Sequence, residues 1–215
     1  LEYSRFDWNI PYMKPRYNGG GNCVHWISDI KLSPFDSDTA LFNTGTGLFM
    51  ITGLASGDVL VKPFCEGIEE TVHLNVYTTP HGRNRIIDII GDLGGFAFKD
   101  YDSECENSFA NENGDRYITC LNADLTLSDP EYIVATPRGN WTGKTKGGLI
   151  LSKDSGSTWE RLPMPRGLSE FIDKKLDNIE KPNVDSGWTA ISADGKRIMW
   201  AVAGGRGFSN KAVCY

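Results

Sequence analysis

Between frequent glycines and prolines the chain carries short runs that are apolar throughout or alternate apolar with polar residues. They are Trp26–Leu32, Ala40–Asn43, Leu48–Thr52, Val72–Tyr77, Arg85–Ile90, Tyr132–Ala135, Leu149–Ser152 and Ile198–Val202. Each is long enough for one strand and too short for an ordinary helix, and many such runs bounded by turn residues predict an all-β sandwich, barrel or propeller. Only Ser169–Ile179 has helical spacing, with Phe171, Ile172, Leu176 and Ile179 on one face. It reads equally well as a solvated loop insertion.

An internal repeat chooses among the β architectures. One unit runs from Leu32-Ser33-Pro34-Phe35-Asp36 through a strand at Leu41-Phe42 and a Gly45-Thr46-Gly47 turn to a strand at Leu48–Ile51. A second runs from Leu127-Ser128-Asp129-Pro130 through Tyr132–Ala135 and a glycine-rich turn to Leu149–Ser152. A third runs from Ile191-Ser192-Ala193-Asp194-Gly195 through Ile198–Val202 and Gly204-Gly205 to Ala212–Tyr215. A polar turn, a strand, a glycine turn and a strand in each unit is the pattern of propeller blades, whose sheets bury their faces only against neighbouring sheets. At roughly 45–60 residues per blade the chain accommodates about four. Residues 1–22 are expected to be a leader or linker, and 23–215 an incomplete propeller. A ring of four is possible, but the third unit reaches Tyr215 where its next turn would begin, so further polypeptide or another chain is expected to complete the ring.

The second unit continues into Ser152-Lys153-Asp154-Ser155-Gly156-Ser157-Thr158-Trp159, an Asp-box pattern. In such a turn the aspartate accepts backbone N–H groups, the glycine permits a positive φ and the tryptophan packs between sheets. Asp154 is therefore read as structural.

Composition narrows the function classes. The chain has 215 residues, 40% hydrophobic and 23% charged, with a net charge of −6 and the two signs interspersed. No basic stripe exists to neutralise phosphates, which argues against a nucleic-acid partner. No apolar run approaches the length of a membrane span. The first residue is Leu1, with no charged-then-apolar leader after it, as in a mature or cut product. No His/Cys cluster has metal-ligand spacing and no loop is built to cradle phosphate, so no metal or cofactor is expected. The five cysteines, Cys23, Cys65, Cys105, Cys120 and Cys214, are an odd number. In a secreted protein Cys105 and Cys120 would form a short-loop bridge worth roughly 3 kcal/mol. The other reading is a set of buried free thiols. Asn140-Trp141-Thr142 is a glycosylation sequon, consistent with a secreted protein.

Three segments, with the Asp-box and Gly187–Lys196 after them, resemble glycoside hydrolase family 74 (GH74), the xyloglucanases. The segments are His25–Ile30 through Pro34–Asp38 to Thr44–Gly47; Gly67–Val72; and Ile90-Gly91-Asp92-Leu93-Gly94-Gly95-Phe96 with Lys99–Asp102. They occur in the order that family shows and span roughly residues 20–215. The resemblance implies a tandem pair of seven-bladed propellers with the cleft between them, and inverting hydrolysis of the β-1,4-glucan backbone of xyloglucan or a related β-glucan outside the cell. It places this chain at the opening of the C-terminal ring and maps the general acid onto Asp92. The base then lies in the other ring, so this chain's partner is the remaining propeller polypeptide.

The residues fit that role. Asp92 ends an apolar strand and precedes Gly94-Gly95, where backbone or sugar can approach closely. A general acid must hold its proton, which partial burial in an apolar setting favours; the plain alternative is an aspartate capping a turn. Asp88, in the same strand, is read as structural. An inverting pair needs its second carboxylate about 6.5–9.5 Å away, and no match to the base motif exists in this chain. Trp8, Tyr12, Trp26 and Trp141 are candidate stacking platforms for sugar rings, with Gly94 and Gly95 as further substrate contacts. Trp159 and Trp188 are assigned to packing. Glu69-Glu70 read either as cleft-facing or as solvated, and His25, His73 and His81 as structural. From another class, a non-catalytic Asp-box propeller binding glycan or protein would have no reason to carry Gly91–Phe96. A sialidase would need an arginine cluster, and the arginines here are scattered.

Overall fold

A computed structural model describes residues 7, 10, 26–68, 71–105, 108–139, 145–163, 187–202 and 211–214. Among them are fourteen strands: β1 (Asp29–Leu32), β2 (Ala40–Thr44), β3 (Gly47–Thr52), β4 (Leu60–Pro63), β5 (Val72–Thr78), β6 (Ile86–Gly91), β7 (Gly94–Phe98), β8 (Cys120–Leu125), β9 (Ile133–Pro137), β10 (Ile150–Ser152), β11 (Glu160–Arg161), β12 (Trp188–Ile191), β13 (Ile198–Val202) and β14 (Lys211–Cys214). They form four antiparallel sheets, ordered β1-β2-β3-β4, β5-β6-β7, β8-β9-β10-β11 and β12-β13-β14. The helical reading of Ser169–Ile179 lies outside the described residues, as do the side chains of Cys23 and Cys214. The chain divides into two compact units, Leu1–Thr71 and Val72–Tyr215.

The first unit holds the β1–β4 sheet. The Thr44–Gly47 turn closes the β2–β3 hairpin, with Gly47 at φ 144° and Thr46 N–H donating to Thr44 Oγ1. Ala40, Phe42, Phe49 and Val61 are buried, and the Phe42 and Phe49 rings stack with centroids 5.3 Å apart. The expected leader contributes here: Asp7 N–H donates to Val61 O and Ile10 is buried.

The second unit holds the other three sheets. Its core lies between the β5–β7 and β8–β11 sheets. Ile87 and Ile89 of β6 meet Cys120 and Ala123 of β8, Ile133 and Ala135 of β9 and Ile150 of β10, with Phe109, Tyr117 and Trp159 filling the space between them. The Phe109 and Trp159 rings sit 4.5 Å apart. Strand β9 is buried along its whole length, as the middle of a sheet covered on both faces must be.

Asp154 organises the turn after β10. Its carboxylate accepts the Thr158 N–H at 2.8 Å, the Thr158 hydroxyl at 2.7 Å and the Ser152 hydroxyl at 2.8 Å. Burial alone would raise this carboxyl, but the bonds from Thr158 and Ser152 outweigh it and hold it below the usual carboxylate range. Ser155 and Gly156 take positive φ, and a Cβ on Gly156 would stand 3.1 Å from Ile87 of the preceding sheet. Asn84 clasps the turn from that sheet by donating to Ser155 O and Ser157 Oγ. The polar turns of the repeat work alike: Asp36, Asp129 and Asp194 each accept a backbone N–H two residues on.

Strands β5, β8 and β12 open their sheets and share no ladder with one another. Side chains connect them instead. Tyr77 Oη of β5 accepts from the Asn122 amide at 3.2 Å and from the Ala123 N–H. Asn122 Oδ1 and Asp124 Oδ2 of β8 accept the Thr189 and Ile191 N–H groups of β12, each at 2.8 Å.

Asp154→Ala is expected to destabilise the protein by about 1–3 kcal/mol at neutral pH, because two Thr158 donors and the Ser152 hydroxyl lose their acceptor. The Asp154 carboxyl sits below its unfolded value of about 3.9, so its contribution is present above that pH and lost as pH falls through the folded value. Urea midpoints of wild type and variant should therefore converge in acid.

Candidate active site

The Gly91-Asp92-Leu93-Gly94 turn joins β6 to β7 and is tight. Leu93 N–H donates to Gly91 O at 2.8 Å, Gly94 N–H donates to Ile118 O and Leu93 is buried. Asp92 takes φ 63° and Gly94 φ 83°, so two left-handed residues fold the chain back within one turn. Aspartate is among the few non-glycine residues that enter this region readily. Its side chain is exposed. The partial burial expected of an acid is thus not supplied by the described residues of this chain. Its N–H donates to Thr119 Oγ1 at 3.0 Å.

The glycines that follow are shaped by the protein itself. A Cβ on Gly94 would meet Tyr117 O at 2.8 Å, and one on Gly95 would meet Asp88 O and the Phe109 ring at 2.7 Å. Both residues are buried. The close approach expected at these positions is made by backbone and by an aromatic ring, so packing accounts for both glycines.

Asp88, four residues before Asp92 and inside β6, has the opposite surroundings. It is 7% exposed, and its carboxylate meets His73 Nδ1 of β5 at 2.9 and 3.0 Å. Burial pushes its pKa up, while the His73 hydrogen bond and charge pull in the other direction without cancelling it. An aspartate and a histidine read as structural are joined in one pair across β5 and β6.

Trp26 is 79% exposed and takes φ 55°, an uncommon backbone for an aromatic residue. It lies in the first unit and keeps an open face. Trp159 is buried in the core as assigned. Trp188, also assigned to packing, is instead 68% exposed. The β12–β13 sheet buries Ile191 and Trp200 on one face, while Trp188 and Met199 stand out on the other. Trp8, Tyr12, Trp141, Glu69, Glu70, His25 and the Asn140 sequon lie outside the described residues.

Cys105 and Cys120 are buried free thiols, not the bridge that was one of two readings. Cys120 opens β8 in the core, and its Sγ faces Asn122 O. Burial raises Cys105 to about 11 and Cys120 to about 12. Among the described residues no group of His, Cys, Asp or Glu is arranged to hold a metal ion, and no helix is long and apolar enough to cross a membrane. Sequence reasoning missed Thr119, because nothing in Tyr117-Ile118-Thr119-Cys120 marks a residue that reaches a turn 27 positions earlier.

No family model matches the chain. It is similar to a xyloglucanase of a Paenibacillus species, 25% identical over 195 residues, which are 88% of this chain and 17% of the relative. An oligoxyloglucan-reducing end-specific xyloglucanase of Emericella nidulans is 27% identical, over 83% of this chain and 21% of the relative. In structure the chain matches a GH74 xyloglucanase of Xanthomonas campestris with a TM-score of 0.66 at 21% identity, covering 92% of this chain and 26% of that one. A GH74 enzyme of Niastella koreensis matches with a TM-score of 0.64 at 18% identity, covering 97% and 27%. The homologues of this chain are thus xyloglucanases, which are glycosidases, and its all-β architecture of antiparallel sheets is that of GH74 structures. The chain spans about a fifth of the length of the curated relatives it matches.

Gly94→Ala is expected to cost about 2–4 kcal/mol in urea unfolding, since it combines a left-handed Cβ with a contact on an immobile carbonyl. Asp88→Asn tests the raised carboxyl. A folded-state pKa above the unfolded one stabilises at low pH and ceases to do so as pH rises through it. The urea midpoint of wild type should therefore fall relative to Asp88→Asn as pH rises from the ordinary aspartate value of about 3.9 through the raised folded-state value.

Proposed function

We propose that this chain is part of a secreted GH74 enzyme that hydrolyses the β-1,4-glucan backbone of xyloglucan with inversion, and that Asp92 is its general acid. The observation that carries the reading is the placement of Asp92: an exposed carboxylate on a rigid left-handed turn, in a chain whose homologues are xyloglucanases. The remaining polypeptide, including the other lobe of a tandem pair of seven-bladed rings, supplies the base on the far side of the sugar. A separation of about 6.5–9.5 Å between the two carboxyl groups leaves room for the attacking water.

Exposure in this chain is compatible with acid catalysis. A carboxylic acid keeps its proton when water is removed from around it or when a second carboxylate stands nearby. Sugar and an opposing lobe closing over Asp92 provide both. The proton then passes to the glycosidic oxygen as the bond to the anomeric carbon breaks, and the base takes a proton from the water that attacks. Trp26 offers an open aromatic face of the kind on which sugar rings stack. Trp8, Tyr12 and Trp141 remain candidates of the same kind.

Asp92→Asn in the full-length protein should lower kcat on xyloglucan by about 10²–10⁴-fold, the range that general acids contribute. It should lose much less on an aryl glycoside whose phenol departs without protonation. Reducing-end release assays on both substrates read the difference, and a variant with wild-type activity on xyloglucan overturns the assignment.

A further inference from the structure

We infer that Thr119 is a positioning residue for Asp92, the part that fixes where the proposed acid points; the inference rests on the role given to Asp92 above. Aspartate tolerates the left-handed region better than most residues but still favours the ordinary ones, so a contact from another segment helps to hold this backbone where it is. The hydrogen bond from Asp92 N–H to Thr119 Oγ1, at 3.0 Å, ties this peptide to another segment. Thr119 is buried although Asp92 is exposed, so the bond is partly shielded from competing water.

Thr119 is itself fixed at two further points. Its segment runs parallel to Gly94, with Gly94 N–H donating to Ile118 O. That approach exists only because Gly94 has no Cβ to strike Tyr117 O. On the other side Thr119 O accepts the Arg138 N–H at 2.7 Å, at the end of β9. The next residue, Cys120, begins β8. One threonine therefore joins the Asp92 turn, the start of β8 and the end of β9, so the carboxylate is referenced to the neighbouring sheet as well as to its own hairpin. The side-chain type matters: the hydroxyl is the acceptor, and the β-branch restricts χ1 and holds the oxygen toward the turn. Valine keeps the shape and removes the acceptor, whereas serine keeps the acceptor.

The experiment compares Thr119→Val, Thr119→Ser and Asp92→Asn in the full-length protein, on xyloglucan and on an aryl glycoside with an acidic phenol. Thr119→Val should lower kcat on xyloglucan by about 10–100-fold, the scale of an ångström-level misplacement, with KM changed less than about twofold. Its deficit should shrink on the aryl glycoside, as for Asp92→Asn, because proton donation matters less there. A loss of folded protein would instead lower both activities alike. Thr119→Ser should return kcat to within about threefold of wild type. If valine does not fold, Thr119→Ala against Thr119→Ser gives the same comparison. A Thr119→Val enzyme with wild-type kcat, or with equal losses on both substrates, overturns the positioning role while an inactive Asp92→Asn leaves the acid standing. A fully active Asp92→Asn overturns both.

Discussion

The strands that open the sheets of the second unit share no backbone ladder, yet their N–H groups cannot be left buried without acceptors. An unsatisfied buried donor costs about 1–3 kcal/mol, so each strand needs side-chain acceptors from its neighbour. Asn122 and Asp124 on β8 fill that need for Thr189 and Ile191, and Tyr77 on β5 joins β8 from the other side. Adjacent sheets are thereby held in register by a few polar side chains inside strands. Apolar packing around Phe109 and Trp159 supplies cohesion, but it has no direction with which to set that register.

The same requirement explains which strands the sequence revealed. Strands β1, β2, β3, β5, β6, β9, β10 and β13 coincide with apolar or alternating runs, and in β6 and β9 those runs are buried by the packing of the second unit. Strand β8 escaped detection because Asn122 and Asp124 interrupt its apolar pattern and look like turn residues. Strand β4 ends in Pro63, and β11 has two residues, too few to show any period. Strand β7 was visible only as a glycine-rich motif, since Gly94 and Gly95 carry no side chains to alternate.

Legibility at the site divided along similar lines. Asp92 could be singled out as a candidate because local neighbours mark it: an apolar strand before, glycines after and a family pattern around it. Thr119 and the His73–Asp88 pair could not, because their meaning arises between segments that meet only in the folded chain. Asp88 within β6 and Asp92 in the turn after it illustrate this. They sit four residues apart, yet one is enclosed beside a histidine and the other is exposed. Position along a strand decides the difference, since the strand middle is covered by its neighbours and the turn is not.

The sulfur at the beginning of β8 adds a property unrelated to sugar chemistry. With burial raising Cys120 to about 12, the thiol stays protonated at neutral pH. Alkylating reagents attack the thiolate, so they find almost nothing to react with until the two sheets part. The rate at which this atom becomes labelled therefore times the breathing of the core directly beneath the turn that carries Asp92.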